Sequence, residues 1–154
     1  MRKRMLHLWI RAEQRKNEKR VGITPQDASK LICKGIKVTV EESADRIISN
    51  EEYHKVGCKI ANEHSWPRAP KDAIILGLKE LSEDIERLEH KHVMFGHAFK
   101  GQTAGLKLLK KFKVGKGLLY DLEYLTDSEG RRLAAFGYWA GYSGAAVSLK
   151  AYAD

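Results

Sequence analysis

The chain has 154 residues, of which 43% are hydrophobic and 31% charged, and its formal net charge is +8 at pH 7. This length fits one domain that buries a core without disulfide or metal support, and Cys33 and Cys58 form no CxxC pair. No segment has the pattern of a signal peptide or a membrane span. We therefore expect a cytoplasmic protein with reduced thiols in its core, no metal and no membrane partner.

The first half of the chain alternates predicted strands and helices. Thr24 and Pro25 form the N-cap and first position of a helix that should end at Gly35. A second, short helix is predicted over residues 50–57 and closes at a glycine. Runs of apolar and β-branched residues on either side of these helices predict strands at residues 6–10, 36–40 and 58–61.

The second half continues the alternation. Further strands are predicted at residues 73–76, 92–95 and 118–120, a turn at 127–130 and helices at about 102–112 and 133–152. In the first of these helices, Leu106, Leu109 and Phe112 recur at a spacing of three, which predicts a core-facing side with Lys107, Lys110, Lys111 and Lys113 on the solvated side. The whole pattern predicts a three-layer α/β domain with a mostly parallel sheet flanked by helices.

Positive charge is concentrated in two segments. Residues 1–20 contain eight Lys and Arg against Glu13 and Glu18, and residues 100–116 contain six Lys and no acidic residue. A solvated helix face explains the second cluster, and phosphate contact is the alternative. A nucleic-acid partner is the least favoured function, since no zinc-finger spacing or RNP-like aromatic pattern accompanies the charge.

Lys79 stands directly after the predicted buried strand Ile-Ile-Leu and the dipeptide Gly-Leu. In an open parallel sheet, ligands bind beyond the carboxyl ends of the strands, so a lysine at this point is placed to contact one. The alternative is an ordinary solvated strand end.

Several short motifs occur in an order that identifies a family. They are Arg-Ala-Glu (11–13), Arg-Val-Gly-Ile-Thr-Pro (20–25), Gly-Leu-Lys-Glu (77–80), Phe-Gly-His-Ala-Phe-Lys (95–100), Tyr-Asp-Leu-Glu (120–123), Gly-Arg-Arg (130–132) and Ala-Ala-Phe-Gly-Tyr-Trp-Ala-Gly (134–141). This order resembles the N-terminal half of the lysine-forming, NAD-dependent saccharopine dehydrogenases. Alanine dehydrogenases and the N-terminal domain of the pyridine nucleotide transhydrogenases are similar at a greater distance.

The resemblance implies a reaction and a set of residues. Saccharopine would be cleaved oxidatively to lysine and 2-oxoglutarate, with NAD taking the hydride. Lys79 and His97 would be the catalytic acid–base residues. Arg20 would bind a substrate carboxylate. Lys100 and Glu123 would be a pair that lines the same substrate pocket, with Glu123 orienting Lys100. Arg131 and Arg132 could contact either the substrate or the cofactor phosphates. His7, His54, His64, His90 and His92 have no counterpart in this scheme and are expected at the surface or at strand ends.

The chain departs from the family in one respect. No strand is followed by a Gly-x-Gly-x-x-Gly turn and a helix, the arrangement that holds a dinucleotide pyrophosphate. We therefore expect a Rossmann-like substrate-binding domain at residues 1–133 and a hinge helix at 134–154 that leads toward an absent NAD-binding domain. Its ligands would be saccharopine, lysine or 2-oxoglutarate.

The chain could be a fragment, a split-gene product or the remnant of a decayed gene. In each case we expect it to be inactive without a separate NAD-binding half. The alternative is a stand-alone, non-catalytic binding module for an amino acid or another carboxylated metabolite.

Overall fold

The computed structural model describes residues 5–99, 101, 103–135 and 137–153. They form two compact units, one that ends at Leu122 and one that begins at Glu123. The first unit contains β1 (His7–Ile10), α1 (Pro25–Cys33), β2 (Lys37–Glu41), α2 (Asn50–Lys55), β3 (Lys59–Ala61), β4 (Ile74–Leu76), β5 (Lys91–Met94), α3 (Thr103–Gly115) and β6 (Leu118–Asp121). The second contains α4 (Gly137–Ala153). The predicted division at residue 133 stays a prediction.

The six strands form one sheet in the order β3-β2-β1-β4-β5-β6. Every pairing is parallel, and Leu8 of β1 lies opposite Val38 on one side and Ile74 on the other. The predicted α/β class with a mostly parallel sheet is confirmed. The chain first adds strands on one side of β1 and then returns to add β4, β5 and β6 on the other side.

The helices of the first half begin where their caps predict. The Thr24 hydroxyl accepts the N–H of Asp27 at 3.2 Å, and Pro25 opens α1. Ser49 and Glu52 form a reciprocal capping box at the start of α2. Gly35 has a φ of 79°, the left-handed conformation that ends a helix and that glycine adopts without strain. The segment then enters β2.

Apolar side chains pack against both faces of the sheet. One cluster contains Ile10, Val40 and Leu76 with residues of α1 and α2. The other contains Ile75, Leu88 and Phe112 of α3, among others. Ile75 and Leu76 belong to different clusters because successive strand residues point to opposite faces. The sheet is therefore the middle layer of three.

The predicted inner face of α3 is wrong in part. Phe112 is buried, but Leu106 is 62% exposed. The helix approaches the loop after β5 at Gly105, where a Cβ atom would lie 2.7 Å from the carbonyl oxygen of Ala98. This close approach turns Gly105, Leu108 and Phe112 inward, and three-residue spacing alone could not identify it.

The predictions that Lys111 is solvated and that both cysteines are buried in the core also need correction. Lys111 is not simply solvated, because its Nζ donates to the carbonyl oxygens of Ser82 at 3.3 Å and Glu83 at 3.1 Å. Both cysteines are free thiols, but only Cys58 is buried, while Cys33 in the last turn of α1 is exposed. Cys33 therefore does not fill the core.

Three of the five histidines expected at the surface or at strand ends are buried: His7, His90 and His92. His92 lies within β5 and is 1% exposed, with its ring 5.0 Å from that of Trp66 and 5.4 Å from that of Phe112. Burial, with smaller contributions from Arg11 and His90, lowers the pKa of His92 to about 3. His92 is thus a neutral core residue at physiological pH.

Among the described residues, no helix has the length and apolar character that a membrane crossing requires.

The buried His92 should make stability depend on pH. Between pH 6.5 and about 3, the unfolded chain binds a proton at this position that the folded chain excludes. The free energy of unfolding should therefore fall by about 1.4 kcal/mol per pH unit below 6.5 on account of this group. Urea denaturation at pH 7 and pH 5 measures the free energy of unfolding. Its decrease from pH 7 to pH 5 should be smaller for His92→Gln than for the unchanged chain. The exposed His54, changed to Gln, is the control and should leave the loss intact; an equal loss in both variants would contradict the assignment.

Candidate active site at the carboxyl edge of the sheet

The strand order reverses between β1 and β4. The connections that leave these neighbouring strands run in opposite directions across the sheet, so their carboxyl ends border an open crevice, the usual ligand position in such sheets. A small crevice lies at this point, and its charged lining residues are Arg11, Glu13, Glu18, Arg20 and Arg46. The reversal point therefore presents cations and carboxylates together with apolar side chains such as Ile10 and Leu76.

Arg20 lies in the segment between β1 and α1 and is bound to Glu18. The Nε and Nη2 atoms donate to the two oxygens of the Glu18 carboxylate at 2.7 and 2.6 Å, which is a bidentate pair. The hydrogen bonds from Arg20 are the largest cause of the lowered pKa of Glu18. The Arg20 side chain is 49% exposed and that of Glu18 only 7%. Glu18 thus fixes the guanidinium, while about half of the Arg20 side chain is exposed.

Lys79 lies three residues beyond the end of β4 and is half-buried. Its backbone N–H and that of Leu78 donate to the two carboxylate oxygens of Glu13, at 3.0 and 2.6 Å. The positive charge of Lys79 adds to the effect of Arg20 in lowering the pKa of Glu18. Lys79 and Arg20 therefore share one carboxylate as an electrostatic neighbour.

His97 lies three residues beyond the end of β5, in a left-handed backbone conformation with φ of 47°. The two loops run side by side, since the N–H of Phe95 donates to the carbonyl oxygen of Leu78 at 3.3 Å. His97 lines a groove of ≈ 510 Å³ between these loops and α3. Arg20, Lys79 and His97 thus follow β1, β4 and β5 at one edge of the sheet. A distance of about 10 Å or less between Lys79 and His97, as one substrate would require, stays a prediction.

The other predicted site residues are not brought to this edge by any described contact. Lys100 lies outside the described residues. Glu123 is in the second unit, where its carboxylate pairs with Arg132 at 3.4 Å. Arg131 pairs with Asp127, at 3.2 Å, and with Glu129. Substrate and cofactor contact both remain open for the two arginines.

Sequence reasoning missed the roles of Arg11, Glu13 and Glu18. Arg11 belongs by composition to the basic segment at residues 1–20, but its side chain is fully buried and pairs with Glu13 at 3.3 Å. Their position in the sequence could have indicated a role, because Arg11 and Glu13 follow a strand at the same edge as Lys79. Within the described ranges, no three His, Cys, Asp or Glu side chains cluster as ligands of a metal ion would.

The sequence matches one protein family over most of its length. Residues 9–143 match the family described as alanine dehydrogenase/PNT, N-terminal domain. A solved L-alanine dehydrogenase structure superposes with a TM-score of 0.64 over 82% of this chain and 35% of that chain, at 15% identity, which shows a shared fold.

Curated relatives share much more sequence. The chain is 46% identical to the lysine-forming, NAD(+) saccharopine dehydrogenase of Schizosaccharomyces pombe, over 96% of this chain and 40% of that protein. It is 50% identical to the enzyme of the same name from Emericella nidulans, over 95% of this chain and 39% of that protein. The chain thus spans about 40% of the length of these relatives.

The Glu18–Arg20 pair should contribute acid-sensitive stability. Because the pKa of Glu18 is lowered in the folded chain, its contribution is fully present above the unfolded value of 4.5 and is lost as pH falls through the folded value. The free energy of unfolding of Glu18→Gln should therefore fall below that of the unchanged chain at pH 6, and the difference should shrink at pH 3. Urea titrations at both pH values measure it. Glu86→Gln, at an exposed site, is the control, and a difference that does not depend on pH would contradict the pairing.

Proposed function

Because this chain belongs to the alanine dehydrogenase/PNT N-terminal domain family, we propose that it is the substrate-binding half of a lysine-forming saccharopine dehydrogenase. The resemblance predicted from short motifs is confirmed by that match and by 46–50% identity to enzymes of this name. The observation that supports the function best is the placement of Arg20, Lys79 and His97 in loops at one edge of the sheet.

The proposed reaction is oxidative cleavage of saccharopine. NAD, when bound by a partner domain, would accept the hydride from the carbon that carries the secondary amine. Hydride can leave only if that amine is neutral, so a base must first take its proton. The resulting imine adds water, and the carbinolamine then breaks its C–N bond, with a proton delivered to the departing lysine amine. Two proton carriers are thus required.

Lys79 is the proposed base for the substrate amine. Its half-buried position and its backbone contacts with Glu13 hold it at the sheet edge. His97 is the proposed proton carrier for hydration and collapse, since an imidazole can both accept and donate a proton. Its position in the groove beside the Lys79 loop supports this division of roles.

Arg20 is the proposed ligand of a substrate carboxylate. Saccharopine carries three carboxylates, and a guanidinium binds a carboxylate through paired N–H groups. Glu18 holds Arg20 in place, and the half-exposed Arg20 side chain supports contact with a ligand. Lys100, Arg131 and Arg132 remain proposed ligands of the other carboxylates, with the cofactor phosphates as the alternative for the two arginines. Glu123 stays a proposed substrate-binding residue whose role is to orient Lys100 rather than to bind a carboxylate.

The reversal point does not fit a dinucleotide. The turn after β1 contains the buried Arg11 side chain and the acidic Glu13 and Glu18, where a pyrophosphate would need glycine and bare N–H groups. The helix that follows β1 begins only at Pro25. We therefore propose that NAD is bound by another domain and that the residues at the reversal point do not bind it. The same misfit is equally expected of the second candidate, a stand-alone, non-catalytic binding module for an amino acid or another carboxylated metabolite.

The proposed base is tested by Lys79→Met in the chain joined to an NAD-binding domain. Methionine keeps an unbranched side chain of nearly the same length but cannot take a proton. Turnover should fall by roughly 10² or more, with little change in saccharopine binding. Steady-state rates and isothermal titration measure the two quantities. Lys113→Met, at an exposed position in the last turn of α3 and outside the groove that His97 lines, is a matched control that should keep turnover; unchanged turnover in Lys79→Met would reject the base.

The separation of substrate and cofactor halves is tested by adding the second half in trans. The 154-residue chain alone should produce no NADH from saccharopine and NAD, and activity should appear on mixing with a separately expressed NAD-binding domain. Exposed aromatic residues on α4, Tyr138, Trp139 and Tyr142, offer an apolar surface for such a partner, or for dimerisation or aggregation without one. Turnover by the chain alone would refute the proposal, and saccharopine binding without turnover in any mixture would favour the binding module.

A further inference from the structure

A buried ion pair lies just after the end of β1, beside the loop that contains Lys79. Arg11 and Glu13 directly follow this strand, and their side chains are 0% and 9% exposed, with Nη1 of Arg11 3.3 Å from a carboxylate oxygen of Glu13. Neither residue has a role in the proposed proton transfers. Nη1 of Arg11 also donates to the carbonyl oxygen of Ala12 at 3.2 Å, and the two side chains together contact the backbone of residues 78 and 79.

These two side chains form hydrogen bonds with the peptide groups on both sides of Lys79. The Glu13 carboxylate accepts the N–H of Leu78 at 2.6 Å and that of Lys79 at 3.0 Å. On the other side, Nη2 of Arg11 donates to the carbonyl oxygen of Lys79. A peptide held through its N–H and the next one held through its carbonyl oxygen cannot rotate freely. The Cα–Cβ direction of Lys79 is therefore set by two residues that follow β1, Arg11 and Glu13.

Gly77 makes this arrangement possible. A Cβ atom at this position would overlap the Arg11 guanidinium, although the residue does not have a left-handed backbone. The glycine is therefore needed for the passage of Arg11 rather than for a turn. The Gly77 N–H also donates to the carbonyl oxygen of Val93 at 3.1 Å, which ties the same loop to β5.

Stability alone does not account for the pair. Burial lowers the pKa of Arg11 despite its charge partners, and the Nε atom of this buried guanidinium has no hydrogen-bond partner among the described residues. A buried ion pair is weak evidence for stabilisation, because an apolar pair of similar volume often serves equally well. Unsatisfied buried polar groups are rare and call for a further explanation.

We infer that Glu13, oriented by Arg11 across Gly77, is a positioning residue that aims the Lys79 side chain at the substrate amine. This inference rests on the proposed function, in which Lys79 is the base. Glu13 itself does not touch the substrate. It acts by limiting the directions that the Lys79 amine can reach, since small displacements of a reacting group reduce the rate strongly.

The first measurement uses the 154-residue chain. Amide hydrogen exchange followed by NMR should show faster exchange at Leu78 and Lys79 in Glu13→Ala than in the unchanged chain, by roughly tenfold or more, and an intermediate effect in Glu13→Gln, which keeps one oxygen acceptor. Gln14→Ala is the matched control, because the Gln14 side chain accepts the N–H of Ser82 at 2.9 Å in the same loop. Its effect should fall on Ser82 only.

The second measurement uses the same variants mixed with the NAD-binding domain. For Glu13→Gln we expect kcat to fall by roughly tenfold while KM for saccharopine changes less than twofold, because Arg20 still binds the carboxylate. Gln14→Ala should keep kcat. A general structural defect would instead reduce the fraction of folded enzyme and affect both variants in proportion to their lost stability, which denaturant titration reports.

The outcomes separate the two proposals. Faster exchange at Leu78 and Lys79 together with a selective loss of kcat supports the positioning role. An unchanged kcat in Glu13→Gln, with the unchanged chain active in the mixture, overturns the positioning role and leaves the proposed function intact. If the unchanged chain shows no turnover in the mixture, the proposed function fails and the positioning role fails with it.

Discussion

Parallel strands of one sheet end together at one edge, and the reversal of strand order between β1 and β4 opens that edge to a ligand. This constraint places the loops after β1, β4 and β5 side by side, so residues far apart in sequence become neighbours. Arg20, Lys79 and His97 occupy these loops, and the backbone bonds between Leu78 and Phe95 and between Gly77 and Val93 keep the last two loops in register. The chemistry proposed for the chain depends on this edge.

Two carboxylates hold together the loops at this edge of the sheet. Glu41, fully buried at the end of β2, accepts the indole N–H of Trp9 at 3.0 Å, the N–H of Ala12 at 2.8 Å and the N–H of His64 at 3.1 Å. It thereby joins the segments after β1 and β3. Glu13 does the same between β1 and β4. Since a carboxylate offers several acceptor sites, one buried acid can satisfy backbone donors from different segments that would otherwise lose water without compensation.

The wrong predictions share a cause. Leu106 and Cys33 were placed in the core, and His92 at the surface or a strand end, from residue type and spacing. The structure reverses each of these, because burial depends on how closely neighbouring elements approach. Gly105 lets α3 come close to the loop after β5 and so sets the rotation of the helix. Arg11 likewise belonged by composition to a basic segment, and only its passage across Gly77 into the interior shows otherwise.

The sequence by itself determined the α/β class, the order of the elements, the capped start of α1 and the family, because these depend on local periodicity, capping residues and motifs that can be compared directly. It also identified Lys79 and His97 as residues that follow strands. Only the tertiary structure decided which strands are neighbours, that Glu18 binds Arg20 and that Arg11 and Glu13 hold the backbone at Lys79. These contacts join segments through side-chain directions and close approaches that are set by packing, and no local pattern in the chain encodes them.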